Sequence, residues 1–396
     1  MKIIKREAYL NKLINVKDVP DIKVITGIRR SGKSKLLESL ADYLNTEKNN
    51  NVIQVKLNLK EFETLLNGDK LYSYVSNRFD KNKNNYLLID EIQMCDGFEK
   101  IINSFYEEEK YDIYLTGSNA FLLSSDLATL FRGRIYELKI FPFSFYEFME
   151  YYPNLDIDIG FDAYFKKGGM SGSYLYRNDS DSLKYIEGIV KTTVVRDIIE
   201  KYKIGNEDLL RMIYEFLMDA IGSETSIRNI ANSLTTNTYK TNDKTCGQYL
   251  EYLCRSFLFY SFQRYDIKGK KYLESNKKYY LSDISFRNAI LGTRYADRGH
   301  LFENMVAIEL LRRGYEVYIG KLYEKEIDFV AIKGGIKTYI QVSDDITNQS
   351  TFEREVNPLI SIKDSFPKMI IARTKQDESQ YEGIRIVDIA RWLYNN

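Results

Sequence analysis

The sequence predicts an α/β protein: a parallel sheet wound with helices, then a helical stretch, then a second α/β unit at the C-terminal end. Three observations carry that prediction. A β-branched run, Ile22–Thr26, leads through Gly27-Ile-Arg-Arg-Ser-Gly32-Lys33-Ser34 into an amphipathic helix with Leu36, Leu37 and Leu40 turned inward. A second apolar run, Tyr86–Ile89, ends in the acid pair Asp90-Glu91. From His300 onward the pattern reads helix, three strands, helix, strand, with Gly334-Gly335 as a two-residue hairpin turn.

Composition narrows the class. The chain has 396 residues, enough for two or three domains with real cores. At 44% apolar and 29% charged it has the make-up of a globular protein. No run of about 18 apolar residues predicts a membrane span. Charges scattered through Met1–Leu13 give no signal-peptide core, so a cytoplasmic protein is expected. Cys95, Cys246 and Cys254 follow no pairing or metal-ligand spacing. A single histidine, His300, excludes zinc motifs that need two and argues against histidine acid/base work; it is expected at a helix start. With a net charge of +1, contact with nucleic acid would need a local patch.

The first motif is a full G-x-x-x-x-G-K-[ST] spacing. Its glycines let the backbone fold around an anion, and successive N–H groups at a helix start point at phosphate oxygens. The expected nucleotide-binding set is Gly27, Arg29, Arg30, Ser31, Gly32, Lys33, Ser34 and Lys35. Lys33 would reach the β- and γ-phosphates and the Ser34 hydroxyl would ligate Mg²⁺. Asp90 is expected as the second Mg²⁺ ligand, while Glu91 polarises the attacking water. ATP and Mg²⁺ are the expected cofactors. A third strand, "YDIYLTGSNAF", ends in Thr116-Gly117-Ser118-Asn119, where a hydroxyl or amide can sense the γ-phosphate or merely cap a turn. Arg132 and Arg134 precede the strand Ile135–Ile140, too far along the chain to belong to the loop. Presented to a neighbouring subunit, either would be an arginine finger; otherwise it is a surface arginine.

"TGIRRSGKS", "LLIDEIQ", "YLTGSNAFLLSSDLATLFRGRIYEL" and "FPFSFYEF" together resemble AAA-type ATPases found widely in bacteria and archaea. In that family the domain is followed by a C-terminal domain of uncharacterised function. "YFKKGGMSG", "VVRDIIEKYKI", "GHLFENMVAIELLRRGYEVYIG", "EIDFVA" and "YIQVS" extend the resemblance over nearly the whole chain. It implies an AAA+ sheet of five parallel strands with Gly27, Lys33, Ser34, Asp90, Glu91 and Ser118 at the nucleotide. It also aligns Arg134, rather than Arg132, with the family's usual Gly-Arg step, and Arg6 with a position near the base.

Four domains are expected: an ATPase core over residues 1–145, a helical lid over 146–205, a winged helix-turn-helix over 206–286 and a further domain over 287–396. The lid is broken at Gly168-Gly169, and its Arg196 is either a second sensor or an ordinary ion-pair partner. The winged helix combines helices at "EDLLRMIYEFLMDAIG", "SIRNIANSL" and residues 243–265 with a ribbon at "GKKYLES" and "KKYYLSD". Residues 264–280 carry Arg264, Lys268, Lys270, Lys271, Lys277 and Lys278 against Asp266 and Glu274. That basic wing would lie on a DNA backbone, or be a solvated lysine face, or touch protein.

The α-β-β-β-α-β order after His300 is, by analogy of fold, that of a restriction-endonuclease-like core. The double glycine pairs Lys333 with Ile336, which sets Asp328 opposite Gln341 and Glu326 opposite Ser343 on one face, with Lys337 further along. Glu303 from the preceding helix is the expected third member. The constellation is degenerate. A neutral amide, Gln341, stands where a hard cation wants a carboxylate, and Ser343 where a catalytic lysine is wanted. A binding or regulatory remnant is expected here rather than a nuclease.

The functional expectation is Mg-ATP turnover that drives conformational change of the C-terminal modules, with ATP and ADP as ligands and at least transient homo-oligomers. Two alternatives stay open: a nucleotide-regulated DNA-binding protein or nuclease of a mobile-element or defence system, and a slow nucleotide switch that binds a protein partner.

Overall fold

A computed structural model describes residues 4–117, 131, 133–235, 241–292 and 297–395, apart from the side chains of residues 196, 274 and 275. Ser118, Asn119 and Arg132 lie outside the described residues, as does the side chain of Arg196. The chain forms two compact units, Met1–Ile140 and Phe141–Asn396.

The first unit is a parallel sheet of β1 (Ile22–Thr26), β2 (Asn50–Lys56), β3 (Asn84–Asp90), β4 (Asp112–Thr116) and β5 (Ile135–Lys139). Its strand order is β2-β3-β4-β1-β5, and every pairing is parallel. All five residues of β1 are buried, as an apolar run between two helical layers must be. On one face α3 (Gly68–Ser76) and α4 (Phe98–Glu107) bring Leu71, Val75, Ile102 and Phe105 against Val24, Ile89 and Leu115. On the other, α1 (Glu7–Asn15) and α2 (Lys33–Leu44) bring Leu13, Leu36, Leu37 and Leu40 against Ile25, Leu88 and Tyr114. Parallel strands put all their C-terminal ends on one edge, which gathers Gly27, Asp90 and Thr116 there. β4 lies between β1 and β3, so Thr116 at its end stands between the loop and the acid pair.

The second unit holds helices α5 (Phe145–Tyr151), α6 (Ile157–Lys167), α7 (Asp179–Val194), α8 (Glu207–Asp219), α9 (Ile227–Leu234), α10 (Asp243–Arg255), α11 (Ser285–Leu291), α12 (Arg298–Arg312), α13 (Gln349–Ser361) and α14 (Ile389–Tyr394). Its strands are β6 (Phe259–Asp266), β7 (Lys271–Leu281), β8 (Glu316–Leu322), β9 (Lys325–Lys333), β10 (Ile336–Ser343), β11 (Lys368–Ala372), β12 (Ser379–Tyr381) and β13 (Ile384–Asp388). They form one mixed sheet, ordered β12-β13-β11-β10-β9-β8-β6-β7. Among the described residues no helix is long and apolar enough to cross a membrane.

Three expectations are corrected here. The helix expected over 243–265 stops at Arg255, and from Phe259 the chain runs as a strand paired on both sides, with β7 and with β8. The expected two-strand ribbon is a single long β7 paired with β6, and β6 also pairs in parallel with β8. A domain boundary at 286/287 would therefore cut one continuous sheet. The helices expected as a separate lid over 146–205 are fastened to the same unit. The buried Asp283 carboxylate accepts the Gly169 N–H at 2.6 Å, and Asn288 donates to the Lys166 carbonyl at 3.3 Å.

The hairpin register agrees with expectation from Lys333↔Ile336 through Phe329↔Ile340. His300 begins α12, where the Asp297 side chain accepts the N–H groups of Gly299 and His300.

Candidate functional site

The loop Gly27–Ser34 needs its glycines for two separate reasons. At φ 143° and 99°, Gly27 and Gly32 sit where side chains are strained, and a Cβ on Gly27 would collide with the Ile140 carbonyl oxygen. Within the loop the Lys33 ammonium is buried and donates to the carbonyls of Gly27 at 2.9 Å and Ile28 at 3.2 Å. The Ser31 hydroxyl is buried with no hydrogen-bond partner among the described residues. Arg6, buried and itself at φ 53°, donates from Nη1 to the Ser31 carbonyl at 2.7 Å and lies over the Tyr9 ring. It braces the loop from behind. The Lys35 side chain points away, paired with Glu38 at 2.6 Å, so of the expected set only its backbone can face the loop. Arg29 is half-buried and Arg30, at φ 62°, is exposed.

The acids converge on this loop. Ser34 Oγ donates to Asp90 Oδ1 at 3.0 Å, and Thr116 Oγ1 donates to the same oxygen. Burial pushes the Asp90 carboxyl above its ordinary value; the Thr116 and Ser34 hydroxyls oppose that shift, as does the Lys33 charge, while Glu91 adds to it. Glu91 follows at φ 57°, its N–H held by Thr116 Oγ1 at 3.1 Å and its carboxylate bonded by Gln93 Nε2. Thr116 and Gln93 thus fix where the two carboxylates lie. Strand order would have flagged Thr116, which stands between the loop and the acids. Only the fold shows Gln93. A hydroxyl and a carboxylate 3.0 Å apart beside an anion loop are an oxygen donor pair that fits Mg²⁺ held together with phosphate oxygens.

Arg134 is elsewhere. It precedes β5 at the N-terminal edge of the sheet, where Ile22 pairs with Ile135, roughly 15 Å by strand rise from the loop edge. Its guanidinium pairs with Glu107 and lies 4.9 Å from the Tyr106 ring centroid. Arg134 therefore cannot touch a nucleotide in its own loop.

A second polar centre lies in the other unit, in a cavity of about 880 Å³ that contains Glu303, Asp328 and Gln341 together with Lys278, Glu326 and Glu355. Gln341 accepts the Asp328 N–H at 2.7 Å and donates to Glu355 Oε2 at 3.0 Å. One Asp328 oxygen accepts the Val342 N–H at 2.7 Å. Burial raises the Asp328 carboxyl well above its usual range; neighbouring Glu303 and Glu355 push it further, against Lys278 and the Val342 N–H. Lys278, 5% exposed, pairs with Glu303 at 3.0 Å and Glu326 at 2.6 Å. Tyr280 donates to the same Glu303 oxygen. Among the described residues no group of three His, Cys, Asp or Glu side chains is arranged to hold a metal.

These contacts revise the sequence picture in two places. Lys278 is the buried cation among these acids, whereas Lys337 donates to the Tyr265 hydroxyl at 2.6 Å. The basic wing also loses Lys278 to these acids and Arg264 to Glu224, paired at 2.7 Å. Lys268, Lys270 and Lys271 remain exposed at its turn.

Residues 19–149 match the AAA domain family, and residues 159–297 match a domain of unknown function, DUF8612. An uncharacterized protein of Haemophilus influenzae is 36% identical over 399 aligned residues, covering 99% of this chain and 98% of the relative. One from Methanocaldococcus jannaschii is 27% identical over 375, covering 90% and 82%. Among solved structures, the Aeropyrum pernix ORC1 protein in complex with DNA aligns at 12% identity and TM-score 0.32, over 79% of this chain and 94% of that one. AMPPCP-bound DnaA from Aquifex aeolicus aligns at 18% and TM-score 0.32, over 63% and 87%. The parallel sheet, its strand order and the AAA-domain match make the first unit an AAA+ P-loop fold. The chain belongs to the family of the Haemophilus influenzae protein, with an AAA domain in its first unit.

Proposed function

We propose that the chain binds and hydrolyses Mg-ATP at Gly27–Ser34 and that turnover changes the conformation of the second unit. The observation that carries this reading is the Ser34–Asp90 contact of 3.0 Å at the mouth of a loop that already holds the Lys33 ammonium. Incoming phosphate oxygens would replace the Gly27 and Ile28 carbonyls as partners of Lys33, while the positive end of α2 favours the same anion. Ser34 and Asp90 would hold Mg²⁺, which would supply charge neutralisation to the nucleotide's phosphates. Glu91, steadied by Gln93 and Thr116, orients water for in-line attack. Developing negative charge is met by Lys33 and, from a neighbouring copy, by Arg134. Own-chain use of Arg134 is closed by its place at the opposite sheet edge, which is why self-association belongs to the reading.

The test is nucleotide binding followed by fluorescence of a labelled ATP analogue. Lys33→Ala should weaken binding by at least about a hundredfold, as loss of a buried charge-assisted contact does. Unchanged binding would remove the loop from the account.

A further inference from the structure

The second unit holds another cavity, of about 870 Å³, whose lining differs from that of the acid centre. It lies among α6, α7, α11, the start of α12 and the segment after β11. Five cationic side chains line it against two carboxylates, Asp162 and Asp179, in a chain whose whole net charge is only +1. One of the five, Lys167, is neutralised by Asp179 at 3.3 Å. The others are Lys166, Arg298, Arg373 and Lys375.

Arg373 is the most constrained of these. Its side chain is 6% exposed, and Nη1 donates to Asp158 at 2.7 Å and to Asp388 at 3.1 Å. Arg391 lies beside the same two carboxylates, so those four charges balance. Nε and Nη2 of Arg373 are nevertheless buried without any hydrogen-bond partner. The guanidinium carbon lies 4.8 Å from the Phe161 ring centroid and both nitrogens are closed off from solvent, so Arg373 gives the cavity charge rather than a free donor.

Lys166, Arg298 and Lys375 have no salt bridge to a carboxylate among the described residues. Arg298 is held in place by aromatic faces, 5.4 Å from the Phe165 centroid and 5.8 Å from that of Phe302. Beneath these charges the wall is apolar, formed by Phe165, Leu183, Ile186 and Leu301. A bare inorganic anion uses neither that wall nor that volume, whereas cavities of roughly 300–1,000 Å³ hold small organic ligands. Arginine donors paired with apolar surface suit a phosphate ester whose organic body is aromatic or aliphatic.

We infer that this cavity is a second ligand site, distinct from the phosphate loop, for a small organic phosphate of nucleotide size. Arg298, Lys166 and Lys375, all exposed, take the phosphate with Arg373 adding charge, and the Phe165–Leu183–Leu301 wall takes the body. The inference does not depend on ATP hydrolysis at the first site.

Titration calorimetry on the full chain tests it, with Lys33→Ala introduced to silence the loop. The probes are AMP, phenyl phosphate, inorganic phosphate and a single-stranded oligonucleotide. The expected result is saturable binding of AMP or phenyl phosphate, about tenfold or more tighter than inorganic phosphate. In the same background, Lys166→Ala with Arg298→Ala should weaken it by about tenfold or more, as loss of charged hydrogen bonds does. Arg298→Ala alone, in a chain with Lys33 intact, should leave ATP affinity at the loop unchanged, which separates this site from the first. The inference is overturned if neither ester binds, if the double substitution has no effect, or if inorganic phosphate binds as tightly as the esters. Salt-dependent binding of the oligonucleotide well above that of AMP would overturn it in favour of a nucleic-acid surface.

Discussion

Asp90 carries both of its hydroxyl partners on one oxygen, and that asymmetry sets what its substitution does. Ser34 and Thr116 both donate to Oδ1, so an asparagine keeps both bonds and loses only the buried charge. Burial holds that carboxyl above its ordinary value in the folded, ligand-free unit. Stability from this group is therefore full at acid pH and is lost as pH rises through the window above the ordinary Asp value. Asp90→Asn should raise the ligand-free melting temperature at pH 7.5 by about 2–4 °C in calorimetry, while abolishing turnover. Gln341 obeys a related logic in the other unit. Its amide accepts from Asp328 and donates to Glu355, a pairing no carboxylate can copy at neutral pH. Gln341→Glu should cost about 1–3 kcal/mol in denaturant unfolding, more at pH 8 than at pH 5.5, because the added charge faces Glu355. The residue type at 341 was legible as a departure from a metal site. Its reason, a neighbouring carboxylate from α13, was not, because that contact spans a turn and a helix.

At the scale of elements, local pattern and long-range pairing part company. The loop, the acid strand and the Gly334-Gly335 hairpin were legible because each is fixed by short-range rules: φ > 0 glycines, an apolar run and period-2 register. The stretch 256–266 was not, since an aromatic run beside a helix reads as its continuation until a sheet partner claims it. The burial of Lys278 was hidden for the same reason: β7 looks basic alone and becomes interior only when α12 and β9 bring their acids. Placing Arg134 before β5 turns a motif into a geometric prediction. Arg134→Ala should lower turnover on the order of 10³-fold. Mixing it with Lys33→Ala chains should restore part of the activity, because one copy then supplies the loop and the other the arginine. A mixture no more active than its components would contradict the trans assignment.

For the whole molecule, the sequence pointed to four domains and the structure has two compact units. The first was readable almost completely because an AAA+ sheet announces itself through motifs at the ends of its strands. The second was not, since its coherence comes from one sheet gathered from segments far apart, β6–β7 with β8–β13, and from Asp283 tying α11 to the Gly168-Gly169 turn. The central claim is that chemistry resides in the first unit, with Glu91 positioning water and Lys33 holding phosphate. Steady-state Mg-ATP hydrolysis by the full chain and by Glu91→Gln tests it most directly, with ATP binding measured on both. The account predicts measurable turnover that falls by about 10²-fold or more in Glu91→Gln while ATP binding persists. No turnover by the unaltered chain, or equal turnover by the variant, would contradict it.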